Sequence, residues 1–395
     1  MDVHDLINVD FVITQQPDLP QIWRMPLFVG SKKVGLPENG FGTLPDGSIK
    51  RTKVVSSLDA MVELGILTTS EIYKVANTWF SNGGQQITLG FVNTTTVEEV
   101  ETEESFEEAL QAIKQQNNKF YGIIPVFASD EAKANIVTAC MQVAAFCSAN
   151  TKMASFVMRD VNDFTDLTTD DLGSRLKTLN YSCCFVSGDI ANADNHNALN
   201  TVALTRAMMA QRGQYDLSWK GGDWQGVETS ELLANNRTAM DGKNISYLVI
   251  DEYDQRTYFL GKTPSGRSAC VQMDIDYAKI KLQNRLYTLF KTEQKVPNNK
   301  TSQLVIEMAI KEQWRQLQQE GVFEPCTKAE IAQKFFGGLE DNVKGYDPNY
   351  GIALYMPDIT QQENTPGGVY TGIILYTKIN NVIYGIKMTV RGSLN

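Results

Sequence analysis

Histidine is nearly missing from this sequence: His4 and His196 are the only two in 395 residues. Imidazole titrates near neutral pH and is the commonest metal ligand, so acid–base or metal catalysis has little to draw on. Long apolar runs are missing too. No stretch approaches the roughly 18 consecutive apolar residues of a membrane helix. The first residues carry Asp2, Asp5 and Asp10 where a secretory signal has lysines and then an apolar run. These absences predict a chain made in a cytoplasm, without direct membrane insertion. No cluster of basic residues stands out, and 36 Lys and Arg against 46 Asp and Glu leave a formal charge of -10. A phosphate backbone is bound through surplus cations, so nucleic acid is excluded as an expected partner. The six cysteines, Cys140, Cys147, Cys183, Cys184, Cys270 and Cys326, show neither CxxC spacing nor the density of a secreted disulfide scaffold. They read as reduced, mostly buried thiols.

An apolar share of 42% is enough for a large core, and the length suggests two or three structural units. Between residues 51 and 188 short apolar runs alternate with amphipathic stretches. Strands are expected at 53–55, 87–92, 121–127, 153–159 and 182–186. Helices are expected at 57–64, 71–80, 105–115, 130–147 and 171–179. Such alternation favours a mainly parallel sheet covered by helices. Ser57, Ser105 with Glu108 three residues on, and Ser129 or Asp130 are the expected helix caps. Further helices are expected at 196–211, 230–240, 276–290 and 302–319, with a strand pair at 245–251 and 257–260. The fold class is therefore α/β (α+β): a strand–helix alternating core sheet with flanking helices and a β-rich C-terminal region. The divisions expected are an extended arm at 1–25, an α/β core at 26–240, a strand pair and long helices completing it at 241–335, and the β-rich region at 336–395.

Both ends of the chain carry adhesive β sequence. Ile7, Val9, Phe11 and Ile13 alternate with polar neighbours as in a half-buried strand, yet no hairpin turn follows, so the partner must lie elsewhere. At the other end, residues 370–379 and 382–390 flank Asn380-Asn381, which tolerates the positive φ of a two-residue hairpin turn. Tyr370, Ile374, Tyr376, Ile383, Tyr384, Ile386 and Met388 make these strands sticky. Docking of this hairpin within its own chain is one way a free subunit could be kept soluble.

Catalytic constellations are thin. Cys183 or Cys184 with His196 could form a thiol and base, oriented by Asp189 or Asp194, although two small residues in a sheet strand explain the cysteines as well. Asp194-Asn195-His196-Asn197 reads first as a capped helix start. Gly261-Lys262-Thr263 lacks the earlier glycine of a phosphate loop, Arg256 standing in its place, and suits a turn. Asp166, Asp170 and Asp171 lack the glycine and spaced oxygens of a calcium loop. Asp274 and Asp276 have the spacing of a strand end. Trp79 and Trp314 fall on apolar helical faces; Trp219 and Trp224 flank a glycine-rich loop.

Several stretches, taken in order, are similar to the tail sheath proteins of contractile-tailed, myovirus-type bacteriophages, in particular the compact sheath-like family. Residues 51–65 give a strand, a Ser/Asp cap and a helix ending Leu-Gly. A helix ending Trp79-Phe80-Ser81-Asn82-Gly83-Gly84 and the strand at 87–92 follow. Gly261 to Gly266 then lead through Met273-Asp274-Ile275-Asp276-Tyr277 into a long helix. The resemblance implies a structural subunit, not an enzyme, with no cofactor, that polymerises as stacked six-fold rings around a tail tube protein. Partners implied are further copies of the chain, baseplate proteins and tail terminator proteins; the place implied is the virion tail, assembled in the host cytoplasm. It also implies that the two terminal segments are inter-subunit strand-exchange arms, and that contraction drives the tube through the host envelope. Lys311 and Arg315, four apart on helix 302–319, are the candidate tube-facing pair, against the plain alternative of a Glu307–Lys311 helix pair. Rival readings are another tail or baseplate component, a cysteine hydrolase, and an adhesin using the loop at 219–226.

Overall fold

A computed structural model describes residues 7–13, 23–97, 100–165, 169–218, 220–292, 297–361, 369–379 and 386–393. Two compact units emerge: Gln21–Ala210 with Tyr215–Met273, and Met1–Pro20 with Gln211–Gln214 and Asp274–Asn395.

The first strand, β1 (Ile7–Ile13), belongs to the second of these. The core unit begins with β2 (Pro26–Gly30), β3 (Thr52–Val55), α1 (Leu58–Glu63), α2 (Glu71–Ser81), β4 (Ile87–Phe91) and a small ladder of β5 (Thr94–Val97) and β6 (Val100–Glu103). It continues through α3 (Phe106–Gln116), β7 (Gly122–Pro125), α4 (Lys133–Asn150), β8 (Met153–Met158), α5 (Leu172–Thr178), β9 (Cys184–Gly188) and α6 (Ala198–Met209). The short β10 (Lys220–Gly221), α7 (Ala234–Lys243), β11 (Ile245–Ile250) and β12 (Arg256–Phe259) complete it.

Nine strands form one sheet in the order β10-β12-β11-β9-β8-β7-β2-β4-β3. From β11 to β4 every neighbouring pair is parallel, as strand–helix alternation requires when helices make the crossovers. The strands expected at 53–55, 87–92, 121–127, 153–159 and 182–186 are all present within a few residues. Central β2 was not among them. It opens on Pro26, and all its residues are buried, so it shows no alternation to read. Edge strand β3, in contrast, leaves Lys53 and Val54 exposed.

Cap chemistry explains most helix starts. Ser57 accepts from the Ala60 amide, and Ser105 and Glu108 form a reciprocal capping box. The long helix differs from expectation: α4 starts at Lys133 behind Ala132, without a side-chain cap. Ser129 and Asp130 lie in the preceding turn. Before α6, Asn197 makes no side-chain cap; Asn195 instead accepts from the Asn197 amide at 3.2 Å and donates to Thr78 Oγ1 at 2.7 Å.

Trp79 is fully buried, edge-on to Phe28 with centroids 5.9 Å apart. Gly84 must be glycine there, since a Cβ would sit 2.0 Å from the Trp79 indole nitrogen. The core also holds a buried charge pair. Lys243 Nζ donates to Asp171 Oδ2 and to the Asp163 carbonyl, both at 2.8 Å, while Asp171 accepts from the Ser174 amide and caps α5.

The second unit takes most of α8 (Ala269–Thr292), then α9 (Lys300–Gln319), β13 (Phe323–Glu324), α10 (Lys328–Phe335), β14 (Tyr346–Asp347), β15 (Ile352–Tyr355), β16 (Val369–Tyr376), β17 (Lys378–Ile379) and β18 (Ile386–Ser393). Asp274 and Asp276 are thus helical, not at a strand end; Asp274 lies 3.5 Å from Arg212 and accepts from the Gly213 amide at 3.2 Å. Helix α9 buries Trp314, which stacks on Phe323 at 4.2 Å and donates to Thr377 Oγ1 at 3.1 Å.

Asp171 is 0% exposed beside Lys243, so Asp171→Ala strands a buried ammonium and removes the α5 cap. The expected cost is about 3–5 kcal/mol, read as a lowered denaturant midpoint. A loss below about 1 kcal/mol, the scale of a solvated ion pair, would show that Lys243 reaches water.

Candidate assembly interface

The two ends of the chain meet in one sheet, ordered β1-β18-β16-β15-β14. On one side of β18 lies β16, antiparallel, with Ile373 opposite Val390, Ile374 opposite Thr389 and Leu375 opposite Met388. On the other lies β1, parallel, running from Ile7 opposite Ile386 to Ile13 opposite Gly392. The partner of the N-terminal strand is therefore the last strand of the same chain. The register sets Ile7, Val9 and Phe11 against Ile386, Met388 and Val390, and sets Asn8 and Asp10 against Lys387 and Thr389. A one-residue slip would mix these two sets.

The hairpin itself departs from expectation. A two-residue turn at Asn380-Asn381 would place Leu375 opposite Ile386, whereas Met388 stands there. The strand ends early because Lys378 and Ile379 form β17 and pair with β13 instead. Lys378 is held at 3.1 Å from Glu324 and 3.7 Å from Glu330. A register shift between Tyr370 and Ile373 centres on Gly372, whose φ of +81° is one that a bulge residue adopts cheaply only as glycine.

Of the residues expected in the hairpin, Tyr370 is buried with its hydroxyl bonded to the Pro357 carbonyl. Ile374 is half-buried, and Tyr376 packs between Phe335 and Phe336 at 4.9 and 5.3 Å. Ile386 and Met388 lie in β18. Ile383, Tyr384 and the Asn380-Asn381 turn fall outside the described residues. Ile373 and Leu375, both buried, were not singled out from sequence, although they share the β-branched or aliphatic character of their neighbours.

Lys311 is drawn into an ion-pair cluster, whereas Arg315 is exposed. Lys311 Nζ lies 2.7 Å from both Glu307 and Asp347, with its side chain 13% exposed. Burial opposes its charge, but the hydrogen bonds it donates to Asp347 and Glu307 prevail and raise its pKa. The bond from Lys311 in turn holds Asp347 below the usual carboxylate range. The Arg315 guanidinium covers the Tyr350 ring at 4.4 Å. In the first half of α9, Leu304, Val305 and Met308 are exposed and border a shallow groove with Leu289 and Arg285.

The remaining candidates resolve into structure. Cys183 and Cys184 are buried in the core, and Cys183 Sγ donates to the Ala144 carbonyl at 3.3 Å. Burial pushes the Cys184 thiol well above its ordinary pKa, the reverse of what a thiolate nucleophile needs. His196 lines a different feature, a cavity of about 360 Å³ beyond the ends of β7 and β8 whose walls include Phe127, Val137, Phe156 and Met158. At its rim Lys133 bridges Asp160 at 2.9 Å and Asp163 at 2.5 Å. Gly261 and Thr263 form a turn closed by the Thr263 amide on the Arg267 carbonyl at 2.8 Å. Asp170 pairs with Arg175; Asp166 lies outside the described residues. Trp224 is fully buried, stacked on Tyr258 at 4.9 Å with Arg206 over its other side at 4.4 Å, so it offers nothing to a receptor. Trp219 is outside the described residues. Among the described residues no group of three or more His, Cys, Asp or Glu could hold a metal, and no helix is long and apolar enough to cross a membrane.

No protein-family model and no curated protein matches this sequence. Solved structures do. A chain of the anti-feeding prophage baseplate matches with a TM-score of 0.59 at 12% identity, over 94% of either chain. The sheath tail protein of Desulfitobacterium hafniense matches at 0.57 and 9% identity, over 97% of this chain and 99% of that one. The sheath complex of an extracellular contractile injection system, in its contracted state, matches at 0.55 and 13% identity, over 97% and 95%. At such identities the likeness is one of fold, and the fold this chain shares across nearly its whole length is that of contractile tail sheath proteins.

Proposed function

We propose that this chain is the structural subunit of a contractile sheath, polymerising with copies of itself by trading terminal strands. The observation that carries the reading is that the N-terminal strand and the C-terminal hairpin build a single sheet through backbone pairing on both edges of β18. An interaction made of main-chain hydrogen bonds transfers between identical chains without loss, which is the logic of strand addition and domain swapping. Each ladder bond contributes on the order of 1 kcal/mol net, so a pairing along all of β1 gives a link of several kcal/mol. The core unit, anchored by its own sheet, is free of that link and can repack while the link persists.

In this reading residues 1–25 are the exchanged arm, 26–240 and 241–335 the body, and 336–395 the region that receives a neighbour's strand. The polymer is a stack of six-fold rings in a virion tail, wrapped on a tail tube, seated on a baseplate and closed by a terminator. Contraction releases free energy stored at assembly and drives the tube through the host envelope. The work is mechanical, which agrees with inert core thiols. A second reading, a baseplate component, is favoured by the match to a baseplate chain. Of the pair Lys311 and Arg315, Lys311 is committed to Glu307 and Asp347, which leaves exposed Arg315 as the member better placed to meet a tube.

Electron microscopy of the full chain beside one lacking residues 1–13 tests this. Tubular or ring-shaped polymers from the full chain supplied with tail tube as template, lost on truncation while the circular dichroism spectrum persists, are the expected outcome. Polymers of unchanged yield from the truncated chain would defeat strand exchange. The doubly reversed variant Lys311→Glu with Arg315→Glu is expected to melt at lower temperature than the parent and to associate with tube protein less well once folded. Unchanged tube association would remove the tube-facing role. Acid should act on the same contact. Asp347 has a folded pKa below the ordinary carboxylate value, so its stabilising pairing is complete above that ordinary value and is lost as pH falls through the folded one. Lys311→Met should flatten that acid limb of a melting-temperature profile.

A further inference from the structure

The N-terminal strand of a freely exchanging subunit has no partner until a neighbour arrives. Here β1 is instead paired along its whole length with β18 of its own chain, in a register running from Ile7 and Ile386 to Ile13 and Gly392. On its other side β18 is filled by β16. The opposite margin of the sheet is β14, only two residues long, too short to template a seven-residue strand. The edge of β18 beyond β16 is the long edge that the chain's own N-terminal strand covers.

Resting on the sheath reading above, we infer that β1 is a latch in cis: in the free chain it occupies the β18 edge that a second copy's N-terminal strand takes in the polymer. Exchange keeps the same strand sequences and the same register, so cis and trans states make equivalent backbone bonds. They differ only in linker strain and association entropy. A strand tethered to its receptor competes at a millimolar effective concentration, and a micromolar pool of free chains does not displace it. Neighbouring subunits already held in a ring present their strands at comparable local concentration, and exchange then proceeds without an energetic penalty. The latch therefore delays polymerisation until a template gathers subunits, and it leaves no long strand-receptive β18 edge open meanwhile.

The test is a reversible covalent latch. Val9 and Met388 are Cα partners across the ladder. Adjacent strands lie about 4.7–4.9 Å apart, within the Cα separation of about 4.4–6.8 Å that a disulfide spans. The six native cysteines are all buried, so a Val9→Cys, Met388→Cys chain forms its new bond without competition at the surface. Oxidation of dilute protein is expected to give an intramolecular bond, seen as a monomer of altered mobility in non-reducing electrophoresis. On a tube template the oxidised chain should lose essentially all of its polymer yield, because the covalent bond blocks exchange, and recover it on reduction. Single-cysteine variants should polymerise with or without oxidant. Bonds formed only between chains, or an oxidised chain that polymerises like the reduced one, would overturn the latch. A chain that forms the intramolecular bond on oxidation yet never polymerises after reduction, even on a tube template, defeats the sheath reading and with it the latch's role, while the strand contact itself stands.

Discussion

Backbone pairing to β18 is the contact on which the terminal sheet depends. One edge of this strand takes β16 in antiparallel register and the other takes β1 in parallel register. The first pairing is local in sequence, while the second joins opposite ends of the chain. A main-chain ladder is indifferent to which copy supplies the strand, since every residue brings the same donor and acceptor. Side-chain alternation then decides the register. With Ile7, Val9 and Phe11 facing apolar register partners and Asn8 and Asp10 facing Lys387 and Thr389, only even slips keep like with like, and each of those forfeits ladder at an end. Interchangeability and specificity therefore come from different parts of the same strand.

Much of the core was legible because its signals are local. The expected strands β3, β4, β7, β8 and β9 and the capped helices α1, α3 and α5 follow from short apolar runs and from Ser57, Ser105 and Asp171 ahead of them. Strand β2 was missed because burial on both faces removes alternation and Pro26 demotes the run. Nonlocal pairing was less accessible. Alternation marked Ile7 to Ile13 as a strand in want of a partner, but nothing in it points to β18. A two-residue Asn380-Asn381 turn implies Leu375 opposite Ile386, but Leu375 stands opposite Met388 and β17 pairs with β13, contacts that no local pattern signals. At Lys311 the helical spacing to Glu307 was readable, while Asp347, which completes the pair, is remote in sequence and arrives only with the fold.

The core carries features that in other α/β proteins serve chemistry, yet here they are occupied by structural contacts. Ligands of open α/β sheets bind beyond the carboxyl ends of the strands, and the cavity past β7 and β8 lies in such a place. Its rim lysine is spent on Asp160 and Asp163. Two carboxylates in the heart of the unit are similarly committed, Asp171 to Lys243 and Asp189 to Asn192 at 2.9 Å. Chains of 9–13% identity keep this fold, as expected where the constraint is burial pattern and strand order, which many sequences satisfy, and not a set of reactive groups.

The two margins of the terminal sheet are unequal, and the inequality has a geometric consequence. β14 is two residues long, and short edges of that kind discourage further strand addition. Under the proposed exchange, the β18 edge gives each chain one strand to donate and one receptor to fill. The surfaces used for giving and for receiving are different, so the link is head-to-tail. Links of that type close into rings or propagate as helices according to the rotation between copies, in contrast to the self-complementary contact that stops at a dimer. A sheet with two equivalent long edges would branch or aggregate. In the proposed polymer, a blunted β14 margin and a single β18 receptor would leave one direction of growth.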